Sequence, residues 1–238
     1  MIIDRLLASG VKLWLSSLSE LQFPKSQPTE VERLTVTIEG KDQQIMTGYI
    51  PEIFIAANTV IYQDISLSQV KIRGVNIRFN LREILKAQPF QLLEPISVTA
   101  QILLKESDLQ ASLASPLFLD GLKDFWQNLL QETNHNIPEK VKNYSIIWQK
   151  FSLKAATLKL TGTIDKTNST VTIITGLSSY DSQTLLFSPI TILGVSELAT
   201  ENNRSELAIN LGNNVNISEL KLWENQLSLD GTITIFPA

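Results

Sequence analysis

Apolar and polar residues alternate along residues 62–80, which is the pattern of a half-buried β-strand. The parity of this alternation changes at Gly74. The apolar positions are Val70 and Ile72 before Gly74, and Val75, Ile77 and Phe79 after it. A strand that keeps one face buried through such a change needs an extra residue. The pattern therefore predicts a β-bulge at Gly74, where a positive φ costs little, and a strongly bent strand.

The same alternation predicts further strands along most of the chain. They cover residues 31–38, 53–62, 96–104, 158–164, 171–175, 184–192 and 207–211, followed by a hairpin over 217–235 that turns at Glu224 and Asn225. The strand over 53–62 also changes parity, between Ile55 and Val60. An alternating pattern that ends in glycine recurs at 70–74, 158–162 and 227–231. The repetition suggests that one type of bent strand is used several times in a sheet.

Residues 2–21 have the pattern of an amphipathic helix whose apolar arc is wider than half of its circumference. Such a helix either packs in a core or lies on a membrane, into which Trp14 and its neighbours would insert; core packing is the favoured alternative. Asp4, Arg5 and Lys12 interrupt the apolar run, so the segment resembles neither a secretory signal nor a membrane span. The expected location is the cytoplasm, with peripheral contact to the inner face of a membrane.

Three further helix starts are predicted from capping patterns. Asn80 is the predicted N-cap of a short helix, and Ser107 begins a second capping box. Ser115 followed by Pro116 predicts a helix that runs to residue 132.

Together these elements predict an α+β protein with one domain over residues 1–238, in which a strongly curved antiparallel sheet wraps around amphipathic helices. Alternate strand residues and one face of each helix would then point to the interior. The predicted interior positions are Ile72, Val75, Ile77, Phe79, Val98, Ile102, Phe118, Phe125 and Trp126.

Composition excludes several classes of protein. Apolar residues make up 43% of the 238 residues and charged residues 18%, which is not the composition of a disordered chain. The net charge is −4, so no global positive field is available for nucleic acid. The chain has no cysteine, which excludes disulfides, thiol nucleophiles and cysteine-bound zinc.

No residue pattern indicates catalysis. The single histidine, His135, lies between two asparagines in a polar segment, and the sequence supplies neither an orienting partner nor a nucleophile. No glycine-rich phosphate loop is present, and the acidic residues lack metal-binding spacing. We therefore expect a protein that is not an enzyme and that uses no cofactor or metal ion.

One local cluster of charge departs from the acidic total. Lys71, Arg73, Arg78, Arg82 and Lys86 lie within sixteen residues that contain one acid, Glu83. Lys71, Arg73 and Arg78 are expected to share the outer face of the bent strand. Such a face is most often simply solvated. The functional alternative is binding of anionic headgroups, because each basic residue close to an anionic membrane contributes about 1 kcal/mol.

Several stretches of the chain also match a known pattern. They are residues 60–62, 67–78, 92–100 and 106–113, with 211–217 and 227–233 in the closing hairpin. These stretches resemble the LmeA-type phospholipid-binding proteins, a bacterial family. The resemblance implies a tubular lipid-binding (TULIP-like) fold, in which a curled antiparallel sheet surrounds a long helix and an apolar cavity holds acyl chains. It implies no catalytic residues.

The predicted function is therefore non-catalytic binding of phospholipid in an apolar tube, with transfer of the lipid as a further function. The interior positions become the predicted lipid contacts. Lys71, Arg73, Arg78 and Trp14 become the predicted contacts of a transient encounter with an anionic membrane. The alternative is a structural or protein-interaction module whose core is filled by its own side chains. A continuous apolar cavity would distinguish the two.

Overall fold

The computed structural model describes residues 21–22, 34–86, 88–133, 144–195 and 205–237. The strands are β1 (Leu21–Gln22), β2 (Leu34–Glu39), β3 (Tyr49–Tyr62), β4 (Ile65–Arg78), β5 (Ile96–Lys105), β6 (Ile146–Lys154), β7 (Thr157–Ile164), β8 (Thr170–Ser179), β9 (Thr184–Leu193), β10 (Ser205–Asn210), β11 (Val215–Trp223) and β12 (Gln226–Ile235). The helices are α1 (Asp42–Ile45), α2 (Leu81–Ile84), α3 (Glu106–Ala111) and α4 (Pro116–Thr133), and a 3₁₀ turn covers Ser112–Ala114. The protein is therefore α+β and mostly antiparallel sheet, as predicted.

Two sheets take the place of the single curved sheet that the sequence predicted. Sheet 1 has seven strands in the order β1-β3-β4-β5-β12-β11, with β2 also paired to β3. Sheet 2 has five strands in the order β10-β9-β8-β7-β6. Among the described strands, neither sheet closes on itself. The closing hairpin β11–β12 returns to sheet 1 after the chain has built sheet 2, and a pairing of such long range is not visible in a local pattern.

Helix α4 packs on one face of sheet 2 and forms the main core with it. From α4 this core contains Phe125, Trp126, Leu129 and Leu130, and from the strands it contains Trp148, Phe151, Leu153, Leu160, Ile164, Val171, Ile173, Ile190, Ile192 and Leu207, with Leu109 and Val195 beside them. A small core lies on sheet 1 and contains Ile50, Ile53, Ile77, Phe79, Ile96 and Val98. The predicted alternation thus buries one face of each sheet.

The change of parity in β4 occurs at Asn76, and the predicted bulge at Gly74 is wrong. The ladder between β3 and β4 is regular at Gly74, which lies opposite Ile53. Asn76 has a φ of 56° and lies opposite Pro51. These two residues are not paired in the ladder, but the register is the same on both sides of them. Asparagine is one of the few residues besides glycine that adopt the left-handed region, so a single Asn turns the strand over without an inserted residue.

Gly74 lies where the neighbouring side chains leave little room for a Cβ atom. A Cβ atom at this buried position would lie 3.2 Å from Ile53 Cγ2 and 3.2 Å from Ile77 Cδ1. The other two glycines of the recurring pattern, Gly162 and Gly231, each lie opposite a register shift in the neighbouring strand. The register of β6 shifts opposite Gly162, and that of β11 shifts opposite Gly231.

A second kink in the same hairpin confirms the predicted change of parity in β3. Thr59 has a φ of 55° and separates the buried residues Ala57 and Val60. It lies opposite Ser68, and the ladder again skips the pair without changing register. Both strands therefore bend together at two places.

The predicted start of α4 is confirmed. The Ser115 hydroxyl is buried, accepts a hydrogen bond from the Phe118 backbone N–H (3.2 Å) and donates one to the Gln63 carbonyl (2.7 Å). Ser115 therefore caps the helix and also holds it to the turn between β3 and β4.

The other two capping predictions need correction. Asn80 occupies the predicted N-cap position of α2, but its side chain donates to the Pro89 carbonyl and accepts from the Gln91 N–H in the following loop. Helix α3 begins before Ser107, and its cap is the bond from the Lys105 N–H to the Asp108 carboxylate (2.8 Å).

Ser115→Ala should lower the free energy of unfolding by about 1–2 kcal/mol, because it removes the cap of the longest helix described. Urea denaturation measures this loss. Ser107→Ala is the matched control, since Ser107 is exposed and caps nothing, and its effect should stay within about 0.5 kcal/mol. A larger loss at Ser107 than at Ser115 would contradict the cap assignment.

The predicted helix over residues 2–21, including Trp14, lies outside the described residues except for its end. Leu21 is part of β1 and pairs with Tyr62 of β3. His135 also lies outside the described residues.

Candidate functional site

An apolar cavity of about 320 Å³ lies between helix α4, sheet 2 and one end of sheet 1. The helices contribute Leu109, Leu117, Phe118, Gly121, Leu122 and Phe125. Sheet 2 contributes Phe151, Leu153, Leu158, Leu160, Ile173, Thr175, Leu177, Phe187 and Ile209, and sheet 1 contributes Ile65, Leu222 and Leu227. All but Gly121 and Thr175 are leucine, isoleucine or phenylalanine.

The cavity wall follows the two-residue period of the strands and the 3.6-residue period of helix α4. In β7, Leu158 and Leu160 line the cavity while Lys159 between them is exposed, as the two-residue period of a strand requires. On α4, the lining positions recur at intervals of three and four residues, from Leu117 through Gly121 to Phe125. A strand face and a helix face therefore meet across the cavity.

The lining is suited to an apolar ligand. No lining residue carries a charge, and the one hydroxyl, that of Thr175, already donates to the Gly176 carbonyl (2.8 Å). The volume lies at the lower end of the range for ligand pockets, which is about 300–1,000 Å³.

The cavity opens beside the first half of α4. Leu117 is 49% exposed and Gly121 is exposed, whereas Leu153 and Ile173 at the other end are fully buried. A Cβ atom added at Gly121 would meet no other atom within 4 Å. Leu117 and Gly121 therefore define the mouth.

The predicted interior residues divide among several places. Phe118 and Phe125 line the cavity. Trp126 is buried in the main core; Ile77, Phe79 and Val98 are buried in the small core, and Ile72 packs against it. Val75 and Ile102 are half-buried and belong to neither core. Lipid contact of these residues stays a prediction.

Sequence reasoning did not identify the part of the cavity wall that comes from sheet 2. The alternation in the sequence predicts β7 and β8, but it gives no reason to place Leu158, Leu160 or Ile173 opposite Phe118. A usable signal was the wealth of leucine, isoleucine and phenylalanine at alternate positions from β6 to β9.

The predicted basic surface exists, but it is partly neutralised. Lys71, Arg73 and Arg78 are exposed on the outer face of β4, as expected. Arg73 forms an ion pair with Glu52, and Arg78 Nε lies 3.4 Å from a carboxylate oxygen of Glu94. Among the described residues, Lys71 has no ion pair.

This basic surface is also remote from the cavity. Ile65 lines the cavity at one end of β4, and Lys71 follows six residues later. At about 3.3 Å for each residue, that is a separation of about 20 Å along the strand.

Two kinds of site are not found in the described residues. No group of three histidine, cysteine, aspartate or glutamate residues there could hold a metal ion. None of the helices described combines the length and the apolar composition of a membrane span.

An apolar cavity with an open mouth is the usual form of a binding site for an apolar ligand. The sequence model of the LmeA-like phospholipid-binding family matches residues 2–232. The chain belongs to this family, which confirms the resemblance seen in the sequence. No curated protein and no solved structure matches the chain.

Proposed function

We propose that the protein binds phospholipid by taking acyl chain into the cavity and transfers the lipid between membranes. The observation that carries this proposal is the cavity wall, which is almost entirely leucine, isoleucine and phenylalanine and has no charge. Membership of a phospholipid-binding family supports it. Because the cavity wall carries no charged group that could pair with a phospholipid headgroup, the headgroup would remain outside, beside Leu117 and Gly121.

The proposed fold type is tubular and TULIP-like. Its support is that both sheets contribute to one cavity wall, with Leu222 and Leu227 from sheet 1 facing residues of sheet 2. A side-chain-filled structural module is the alternative, and an open apolar cavity of about 320 Å³ beside the main core favours lipid binding over it.

The proposed action on lipid is non-catalytic. Hydrolysis of an ester needs a nucleophile or an activated water together with a proton carrier. The lining residues supply neither, since the hydroxyl of Thr175 is bonded to the backbone and the other side chains are hydrocarbon.

Transfer requires transient contact with a membrane. The contact surface proposed from the sequence is Lys71, Arg73 and Arg78, together with Trp14. The ion pairs with Glu52 and Glu94 reduce the charge that Arg73 and Arg78 can offer to headgroups.

The purified protein should carry phospholipid. Native mass spectrometry after a mild preparation should show adducts of phospholipid mass, because an apolar cavity of this size is occupied most favourably by hydrocarbon. Extraction with organic solvent and lipid analysis provides the independent check. A spectrum of bare protein together with a lipid-free extract would refute the proposal.

A further inference from the structure

Strands β6 and β7 of sheet 2 carry positive charge, and the four neighbouring strands β6 to β9 carry no negative charge. β6, β7, β8 and β9 contain Lys150, Lys154 and Lys159 but no aspartate or glutamate, although the chain as a whole has 24 acidic and 20 basic residues. All three lysines are exposed, and none takes part in an ion pair within the described ranges.

The strand register brings these lysines together. Lys159 lies opposite Ser152, which is two residues from Lys150 and two residues from Lys154. Diagonal neighbours on one face of an antiparallel pair are about 7–8 Å apart. The cluster lies on the outer face of sheet 2, because Leu158 and Leu160 on either side of Lys159 line the cavity.

Exposed aliphatic side chains share this outer face. Leu193 is 50% exposed and is joined to Lys150 by a cross-strand row through Thr172 and Thr161. The row spans about 15 Å, at about 4.8 Å for each strand. Ile147, which is 55% exposed, begins the next row. The face thus combines lysine, threonine and isolated aliphatic residues, and among the described residues its one strand carboxylate is the exposed Glu206 of β10.

We infer that the outer face of sheet 2 docks on an anionic phospholipid membrane. The lysine ammonium groups pair with headgroup phosphates, while Ile147 and Leu193 enter the interface between headgroups and acyl chains. The inference rests on the proposed function, because a lipid carrier has to meet its donor and acceptor membranes. Docking through this face would place sheet 2 itself between the bilayer and the cavity, since the opposite side of the same strands forms the cavity wall.

A second copy of the chain is a less suitable partner for this face. A two-fold contact brings the same patch of both subunits together. The lysine clusters would then lie opposite each other, and like charges across an interface oppose association.

Vesicle binding by the full chain tests the inference. The probe is a vesicle of equal parts phosphatidylcholine and phosphatidylglycerol, and a vesicle of phosphatidylcholine alone is the reference. Replacing Lys150, Lys154 and Lys159 by glutamine should weaken binding to the anionic vesicle about 100-fold, at about fivefold for each lysine. Binding by the parent protein should fall when salt is raised from about 0.1 M to about 1 M, where the Debye length drops from about 10 Å to about 3 Å.

Two matched variants locate the surface. Glutamine at Lys71, Arg73 and Arg78 removes the same number of charges from sheet 1 and should weaken binding less, because two of those groups are already paired with carboxylates. Serine at Ile147 and Leu193 should weaken binding to both kinds of vesicle, which would not occur if the face recognised charge alone. Circular dichroism confirms that each variant is folded.

The inference is overturned if the sheet 2 lysine variant binds anionic vesicles as well as the parent, if the sheet 1 variant loses more, or if the parent binds no vesicle. Preferential binding of a labelled RNA oligonucleotide over the anionic vesicle would also overturn it. Lipid extracted from the same samples separates this inference from the proposed function. Every variant should retain cavity lipid, whereas lipid-free parent protein would refute the proposed function itself.

Discussion

Gly121→Phe should give a folded protein whose affinity for phospholipid is at least about fivefold lower than that of the parent. Gly121 lies at the mouth of the cavity, and a Cβ atom added there meets no neighbouring atom within 4 Å. Because Gly121 is exposed and also lines the cavity, a phenyl ring there would occupy space that an acyl chain would cross. Forcing extra volume into an apolar site costs about 1–3 kcal/mol, which corresponds to about 5-fold to 150-fold in affinity.

Gly121→Ala is the matched control for this variant. Alanine is more favourable than glycine inside a helix by about 1 kcal/mol, so this variant should be more stable than the parent and should keep its lipid. Native mass spectrometry gives the bound lipid, and thermal denaturation gives the stability. Normal lipid content in Gly121→Phe would show that the mouth lies elsewhere. Loss of lipid from Gly121→Ala would show that the effect comes from the helix backbone and not from blockage.

Ile77→Asp should prevent folding. Ile77 is 5% exposed and lies in the small core against Ile53 and Phe79. An unpaired carboxylate in such a site costs several kcal/mol even after the surroundings relax. That is a large fraction of the total stability of a domain, which is about 5–15 kcal/mol.

Val75→Asp is the comparison that tests the position of the kink. Val75 precedes Asn76, lies opposite Glu52 and is half-buried, so its replacement should cost only about 1 kcal/mol. Soluble expression and urea denaturation of both variants measure the difference. If Val75→Asp were the more damaging of the two, the change of parity would have to lie at Gly74 and the register described for β4 would be wrong.

Local patterns predicted the local structure well. The alternation found most strands, Ser115 and Pro116 located the start of α4, and Glu224 and Asn225 located the turn of the last hairpin. The kink was misplaced by two residues because glycine and asparagine both tolerate a positive φ, and only the three-dimensional packing of Ile77 over Gly74 decides between them.

The cavity could not be predicted from local patterns, because its wall joins segments that are far apart in the chain. Leu109 and Leu227 both line it, and no periodicity relates them. The same limit applies to charge. The cluster around Arg73 is visible in sequence, but Glu52, which pairs with Arg73, comes from the neighbouring strand. The cluster of Lys150, Lys154 and Lys159 emerges only once the register of β6 and β7 is known.

Each kink of the β3–β4 hairpin lies at the same level in both strands, and this constrains how the length of the hairpin can change during evolution. Pro51 faces Asn76 and Thr59 faces Ser68, so the two strands turn over at matching points and keep one register throughout. A residue inserted into one strand alone would shift one kink against the other and put the side chains between them on opposite faces. Two simultaneous insertions at opposing positions would preserve the match. Length changes in this hairpin are therefore tolerated in pairs, and homologous hairpins should differ by even numbers of residues.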